Sequence, residues 1–305
     1  MFLFPYILFI SHFSLIYVFK NITHDLTISG KFMIEWTVNR ELFSFGIITI
    51  RYYSLFFLVS FLLGIVIMKR IFAAEKKPVT DVDDLLVYMM IGTVLGARLG
   101  HVLFYNPGYY FSHPIEILKV WEGGLASHGA AIGILIALYL FVKNKQIYGY
   151  LWIVDRVVIT VALAGFYIRS GNLFNSEIIG KPTDVPWAFI FSRYVDNIPR
   201  HPTQVYEALA YLAIFFFLYK LYWRKKEKVQ PGSLFGLFLI FVFGFRFFVE
   251  FLKENQEAFE AGMPLNMGQI LSIPLVLLGI YLVLSSKNRS LPINHSKKTD
   301  IDKKL

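Results

Sequence analysis

The chain contains no cysteine. That absence excludes a disulfide, a thiolate metal site and a cysteine nucleophile of its own. Any sulfur chemistry here has to use a thiol brought by a substrate. Charged side chains are scarce too, at 17% of 305 residues against 56% hydrophobic, with 31 phenylalanines. With a mean hydropathy of +0.55 and apolar residues gathered into long runs, this is the composition of a polytopic membrane protein. Neither an internal repeat nor a soluble domain is visible. The net charge of +9 does not point to a nucleic acid partner, because Lys and Arg collect in short loops between the apolar runs.

Seven runs, each about 20 residues long, can span a bilayer. They are Tyr52–Met68, Asp84–Phe104, Leu125–Val142, Tyr150–Ile168, Val205–Tyr222, Ser233–Leu252 and Met267–Leu284. The expected fold is therefore an all-α, seven-helix integral membrane protein. Met1–Phe19 is apolar but interrupted by His12 and without a basic leading region, so Met33 is the preferred start. Residues 1–45 then form an N-terminal extension and pre-span arm, 46–285 the seven-helix domain and 286–305 a basic tail. Lys69, Arg70, Lys76 and Lys77 follow the first run, Lys143 and Lys145 the third, and Arg224–Lys228 the fifth; further lysines fill the tail. The alternate loops hold only Lys119, Lys181, Arg193, Arg200 and Lys253. The positive-inside rule then puts the C-terminus in the cytoplasm and the start of the first span outside.

This orientation gives a depth to each intramembrane polar residue. Tyr53, Arg98, Glu122, His128, Arg169, Gln204, Tyr206, Glu207, Arg246 and Glu250 all fall toward the outer ends of their runs. Nearly every costly group is thus expected in the outer third of the bilayer, facing one chamber, since ionisable residues within spans face a cavity or each other. Each has a plainer alternative. Arg169, where the apolar run Val157–Ile168 ends, could snorkel to a headgroup. His128 could be a packing histidine among small residues, Glu177 a solvated loop residue, and Arg98 a packing residue. Arg246 and Glu250, at i and i+4, could be a neutralised structural bridge. His201-Pro202 could mark a helix start. Gly92, Gly96 and Gly100 share one helix ridge, and Gly129 and Gly133 another, so these two spans are expected to pack closely.

Four stretches carry a resemblance: Trp121–Gly129 (WEGGLASHG), Arg169–Gly180 (RSGNLFNSEIIG), Arg200–Glu207 (RHPTQVYE) and Arg246–Phe251 (RFFVEF), preceded by GARLG around Arg98. In this order they resemble the prolipoprotein diacylglyceryl transferase family over about residues 46–285. The resemblance implies a multi-pass enzyme of the bacterial cytoplasmic membrane with its active site toward the outer leaflet. It implies transfer of a diacylglyceryl group from phosphatidylglycerol to the lipobox cysteine of preprolipoprotein signal peptides, with glycerol phosphate leaving and no cofactor or metal. It matches the family's functional residues to His128, Arg169 and Arg246 as catalytic groups. Tyr53, Asn172, Glu177, Gly180 and Glu250 are matched beside them and expected to bind substrate, as are Arg98, Glu122, His201, Gln204 and Tyr206 from their place among the outer polar residues and quoted stretches. Val242 stands where some members carry tyrosine, and Gly129-Ala130 where they carry two glycines.

The implied reaction sets the expected roles. A histidine suits proton removal from a thiol near neutral pH, so His128 is the expected base. Arginine holds phosphate through a rigid charged fork, so Arg169 and Arg246 are expected to grip the leaving group, oriented by Glu177 and Glu250. Asn172 is expected on headgroup oxygens. Two other classes remain open from the residues alone: a transporter with a midplane site, and an intramembrane hydrolase using Ser127 or Ser170. The charge pattern is tested by fused reporters: those after Lys143 or within Arg224–Lys228 are expected in the cytoplasm, and one near Thr183 outside. A cytoplasmic Thr183 overturns the orientation.

Overall fold

The computed structural model describes residues 25–28, 31–45, 48–194, 196–255, 260 and 262–290. The Met1–Phe19 run lies outside them. Among the described residues, seven helices are long and apolar enough to cross a membrane: α1 (Tyr52–Ala74), α2 (Asp81–Phe104), α5 (Ser127–Lys145), α6 (Tyr150–Asn175), α7 (Thr203–Lys225), α8 (Ser233–Val249) and α9 (Met267–Ser286). Two short helices, α3 (Pro107–Ser112) and α4 (Pro114–Ile117), lie between α2 and α5. In lipid the backbone has to satisfy its own polar groups, which is why each apolar run becomes a helix. The most buried span is α6, with 61% of its apolar window inside against 39% or less for the others. It also runs further than its apolar stretch, through Arg169 to Asn175.

Strands accompany these helices, which the apolar periodicity did not announce. β1 (Asp25–Ile28) pairs antiparallel with β2 (Lys31–Trp36), which pairs in parallel with β5 (Phe189–Phe191). Met33 therefore sits within a paired strand, opposite Leu26. β3 (Glu41–Phe45) and β4 (Ile48–Arg51) form a hairpin leading directly into α1.

The described chain divides into two compact units, with boundaries inside α1, α6, α7, α8 and α9. The first combines the strands and α1 as far as Ser60 with Leu163–Ile214 and Phe241–Val276. Its apolar core is Trp36, Phe174, Ile179, Phe189 and Phe191. Trp36 stacks on Phe189, meets Phe174 edge-on, and donates its indole N–H to Leu173 O at 3.0 Å. The small sheet thereby grips the last turn of α6.

The second unit combines Phe61–Ala162, Phe215–Ile240 and α9 from Leu277. Here α2 and α5 pack as the glycine spacing predicts. A Cβ at Gly96 would stand 2.5 Å from Gly129 O and 2.8 Å from Gly133 Cα, so only hydrogen fits. The expectation that nearly all costly groups lie at the outer ends is corrected. Arg156, fully buried near the start of α6, donates to both Glu75 oxygens, and Trp152 and Tyr222 also donate to Glu75. Asp155 accepts the backbone N–H groups of Gly232 and Phe235, capping the start of α8. Asp155 and Arg156 precede Arg169 by 14 and 13 residues in the sequence. They were overlooked because they sit inside an apolar run while their partners come from other helices.

The glycine packing yields a direct test. Gly96→Ala should cost about 1–3 kcal/mol through overpacking and lower the melting temperature in detergent by several degrees. Gly108→Ala, where a Cβ meets nothing within 4 Å, should not.

Candidate active site

In the first unit, α6 carries its polar residues on a continuous helix instead of ending at Arg169. Arg169 and Asn172 are therefore one turn apart on one face, and Arg169 Nη1 donates to Asn172 Oδ1 at 3.2 Å. Asn172 Nδ2 passes the contact on to Glu177 Oε2 at 3.1 Å, and Asn175 Nδ2 donates to Glu177 Oε1 at 3.2 Å. Glu177 is exposed but held. Both flanking residues, Ser176 and Ile178, have a φ of 55°. For a β-branched residue that conformation costs about 1–3 kcal/mol. It persists because the start of α7 grips the turn: Gln204 Nε2 donates to Glu177 O and Thr203 Oγ1 to Ile178 O. Gln204, expected to bind substrate, is fully buried and supports this turn.

One turn along α7 from Thr203 lies Glu207, fully buried. Its Oε2 is 3.1 Å from Arg169 Nε. Its Oε1 meets Lys253 Nζ at 3.1 Å and accepts Tyr211 OH at 3.2 Å. Lys253, only 1% exposed, also reaches Glu250 Oε1 at 3.0 Å. Glu250 is 3.4 Å from Arg246 Nε, the pairing that i, i+4 spacing predicts, and its Oε2 accepts Asn266 Nδ2 at 3.1 Å. The result is one chain of alternating charge: Arg169, Glu207, Lys253, Glu250, Arg246. It holds three cations and two anions. Arg169 thus pairs directly with Glu207, while Glu177, expected to help orient the arginines, is linked to Arg169 through Asn172.

Close backbone approach allows this arrangement. A Cβ at Gly180 would stand 2.5 Å from His201 O and 2.9 Å from Leu252 O, where Gly180 bridges to Lys253. At Gly171 it would stand 2.7 Å from Cδ2 of Tyr53, whose ring lies against α6. His201 Nδ1 is 3.2 Å from Tyr206 OH, to which Trp187 donates at 2.7 Å. Burial pushes the His201 imidazole below the usual histidine value.

Arg98, Glu122 and His128 belong to the second unit. Arg98 is 4% exposed, and it donates to backbone carbonyls of Ile117, Gly123, Gly124 and Glu116. Its guanidinium clamps the α4–α5 connection. Glu122 lies 3.6 Å from Lys119. It lines a cavity of about 330 Å³ together with Arg98, His101 and Tyr110. His128, exposed in the first turn of α5, has its ring edge-on to Phe104 and stacked near Tyr105.

A family model described as prolipoprotein diacylglyceryl transferase matches residues 40–285, which include both groups of residues. The chain belongs to this family. Proteins named phosphatidylglycerol–prolipoprotein diacylglyceryl transferase from Chloroherpeton thalassium and Tolumonas auensis are each 50% identical to it. The alignments cover 83% of this chain and 94% and 98% of those proteins. The Bacteroides fragilis protein of that name is 44% identical over 82% of this chain and 94% of its own length. As a prolipoprotein diacylglyceryl transferase family member with seven membrane-crossing helices, the chain is a multi-pass membrane transferase.

Sequence reasoning missed Lys253, counting it only as a loop charge. Its i, i+3 spacing from Glu250 was the available signal. The Gly180 packing is testable. Gly180→Ala is expected to cost about 2 kcal/mol of stability by displacing the 252–253 backbone, measured by thermal unfolding in detergent. An unchanged melting temperature would show that the close approach is dispensable.

Proposed function

We propose that the chain transfers the diacylglyceryl group of phosphatidylglycerol to the lipobox cysteine of a preprolipoprotein. The observation that carries this reading is the largely buried chain of directly paired charges, whose three cations exceed its two carboxylates by one positive charge. A cation surplus in a low-dielectric site suits an anion, and here the anion is the phosphate. Arg246 has its side chain 31% exposed and Nε turned to Glu250, and its terminal N–H groups, which show no hydrogen bond among the described residues, suit a ligand. Arg169 is held by Glu207 and Asn172. Names borne by relatives half identical to the chain support the same pair of substrates.

The reaction is a substitution at a glyceryl carbon. The cysteine thiol gives its proton to a base, assigned to His128 on the chemistry of imidazole near neutral pH. The thiolate sulfur then forms a bond to the terminal glyceryl carbon as the carbon–oxygen bond to phosphate breaks. That electron pair leaves on the phosphate oxygen, releasing glycerol phosphate as a monoester. The arginines stabilise the charge growing on this oxygen. Tyr53, Asn172, Glu177 and the His201–Tyr206 pair surround the lipid headgroup and peptide. The absence of cysteine from the chain suits a thiol supplied by the substrate. The basic loops favour placing the site toward the outer leaflet of the bacterial cytoplasmic membrane.

Purified protein given phosphatidylglycerol and a lipobox peptide is expected to add one diacylglyceryl mass to the peptide's cysteine; an unmodified peptide overturns the reading. Arg169→Lys and Arg246→Lys keep charge but lose the planar fork. Each should fold and lose about a hundredfold in rate, roughly 3 kcal/mol of transition-state stabilisation. A wild-type rate for Arg246→Lys, or rescue of Arg246→Ala by Glu250→Ala, would assign Arg246 to architecture.

A further inference from the structure

Lys253 lies just beyond the last turn of α8, and its surroundings are unusual for a lysine. Its side chain is 1% exposed, and Nζ stands 3.1 Å from Glu207 Oε1 and 3.0 Å from Glu250 Oε1. Those carboxylates belong to different elements, and each faces a different arginine with its remaining contacts: Glu207 meets Arg169, and Glu250 meets Arg246. Lys253 thus links the two arginine–glutamate pairs among the described residues. We infer that Lys253 is a positioning residue, fixing the separation and orientation of the two guanidinium groups that hold the leaving phosphate. This inference rests on the proposed transferase reading.

Several observations support it. The Lys253 backbone is itself pinned: Lys181 N donates to Leu252 O at 2.8 Å and Glu254 N to Ile179 O at 3.2 Å. The ammonium therefore projects from a fixed point. The charged and titratable groups around it are Arg169 on α6, Glu207 with Tyr211 on α7, and Arg246 and Glu250 on α8 and its final turn. Burial pulls the Lys253 ammonium below the ordinary lysine value, with Glu207 and Glu250 opposing that shift and Arg169 and Arg246 adding to it. Burying a long flexible cation is costly unless its charge is compensated. A neutral side chain could fill the same volume, so packing alone does not call for an ammonium here. Lys253 Nζ meets the two carboxylates, and on this reading its action on the reaction passes through them.

The test compares wild type, Lys253→Arg and Lys253→Met, each in detergent with phosphatidylglycerol and a lipobox peptide. The readouts are kcat, the KM for each substrate and the melting temperature. Lys253→Met is expected to lower kcat about a hundredfold, the scale of a 1 Å misplacement in a positioned site. Both KM values should change little, and Lys253→Arg should recover most of kcat. Wild-type kcat in the folded fraction of Lys253→Met, with only the melting temperature lowered, overturns the inference and makes the lysine structural. Should that variant fail to accumulate, Lys253→Met with Glu250→Gln removes one cation and one anion together. Its kcat should then fall well below that of Glu250→Gln alone, and equality overturns the inference. If wild type itself leaves the peptide unmodified, the transferase reading fails instead.

Discussion

Glu207 is a carboxylate with no access to solvent, in a segment of chain that crosses a membrane. An ion so placed requires compensation, because removing one partner from a buried ionic cluster leaves an uncompensated charge costing about 3–5 kcal/mol. Much of the first unit follows from meeting that demand. One oxygen takes Arg169, and the other takes Lys253 and Tyr211. Lys253 in turn needs Glu250, and Glu250 takes Arg246 and Asn266. Neutralisation proceeds outward until one positive charge is left over. That surplus is what the proposed reaction assigns to its leaving phosphate.

The strands serve this cluster rather than standing as a separate fold. The last turn of α6 holds Asn172 and leads into the strained turn at Glu177. Trp36 packs on Phe174 and binds Leu173 O, while Thr203 and Gln204 hold the carbonyls beyond it. A turn with two non-glycine residues at positive φ stays formed only where surrounding contacts outweigh its cost. Those contacts join β2, the end of α6 and the start of α7. A local change in any of the three bears on Glu177, although none of them need touch a substrate.

In the second unit the chemistry of charge is used for architecture. Arg98 closes the α4–α5 connection through backbone carbonyls, and Arg156 with Glu75 joins α6 to the end of α1. Arginine suits both tasks, since its planar fork satisfies several acceptors with one rigid group. The presence of an arginine in a span thus does not distinguish a ligand-binding group from a clamp; the identity of its acceptors does.

Sequence alone was enough for the seven spans, because twenty apolar residues have one inexpensive conformation in lipid. It was enough for the α2–α5 contact, because four-residue glycine spacing leaves one ridge bare, and for the Arg246–Glu250 pair, because i, i+4 residues are neighbours on any helix. Family motifs marked the residues around Arg169 as functional. Tertiary structure decided the partners. Arg169 faces Glu207 on another helix, Arg98 donates to backbone carbonyls, and Lys253 turns inward although its neighbours in sequence read as a loop. The strands, too, depend on pairing between Ile34 and Phe189, which no local pattern encodes. The division has one physical cause. Helix formation and i, i+4 contacts are set within a few residues, whereas compensation of a buried charge is set by whichever elements the fold brings within about 3 Å.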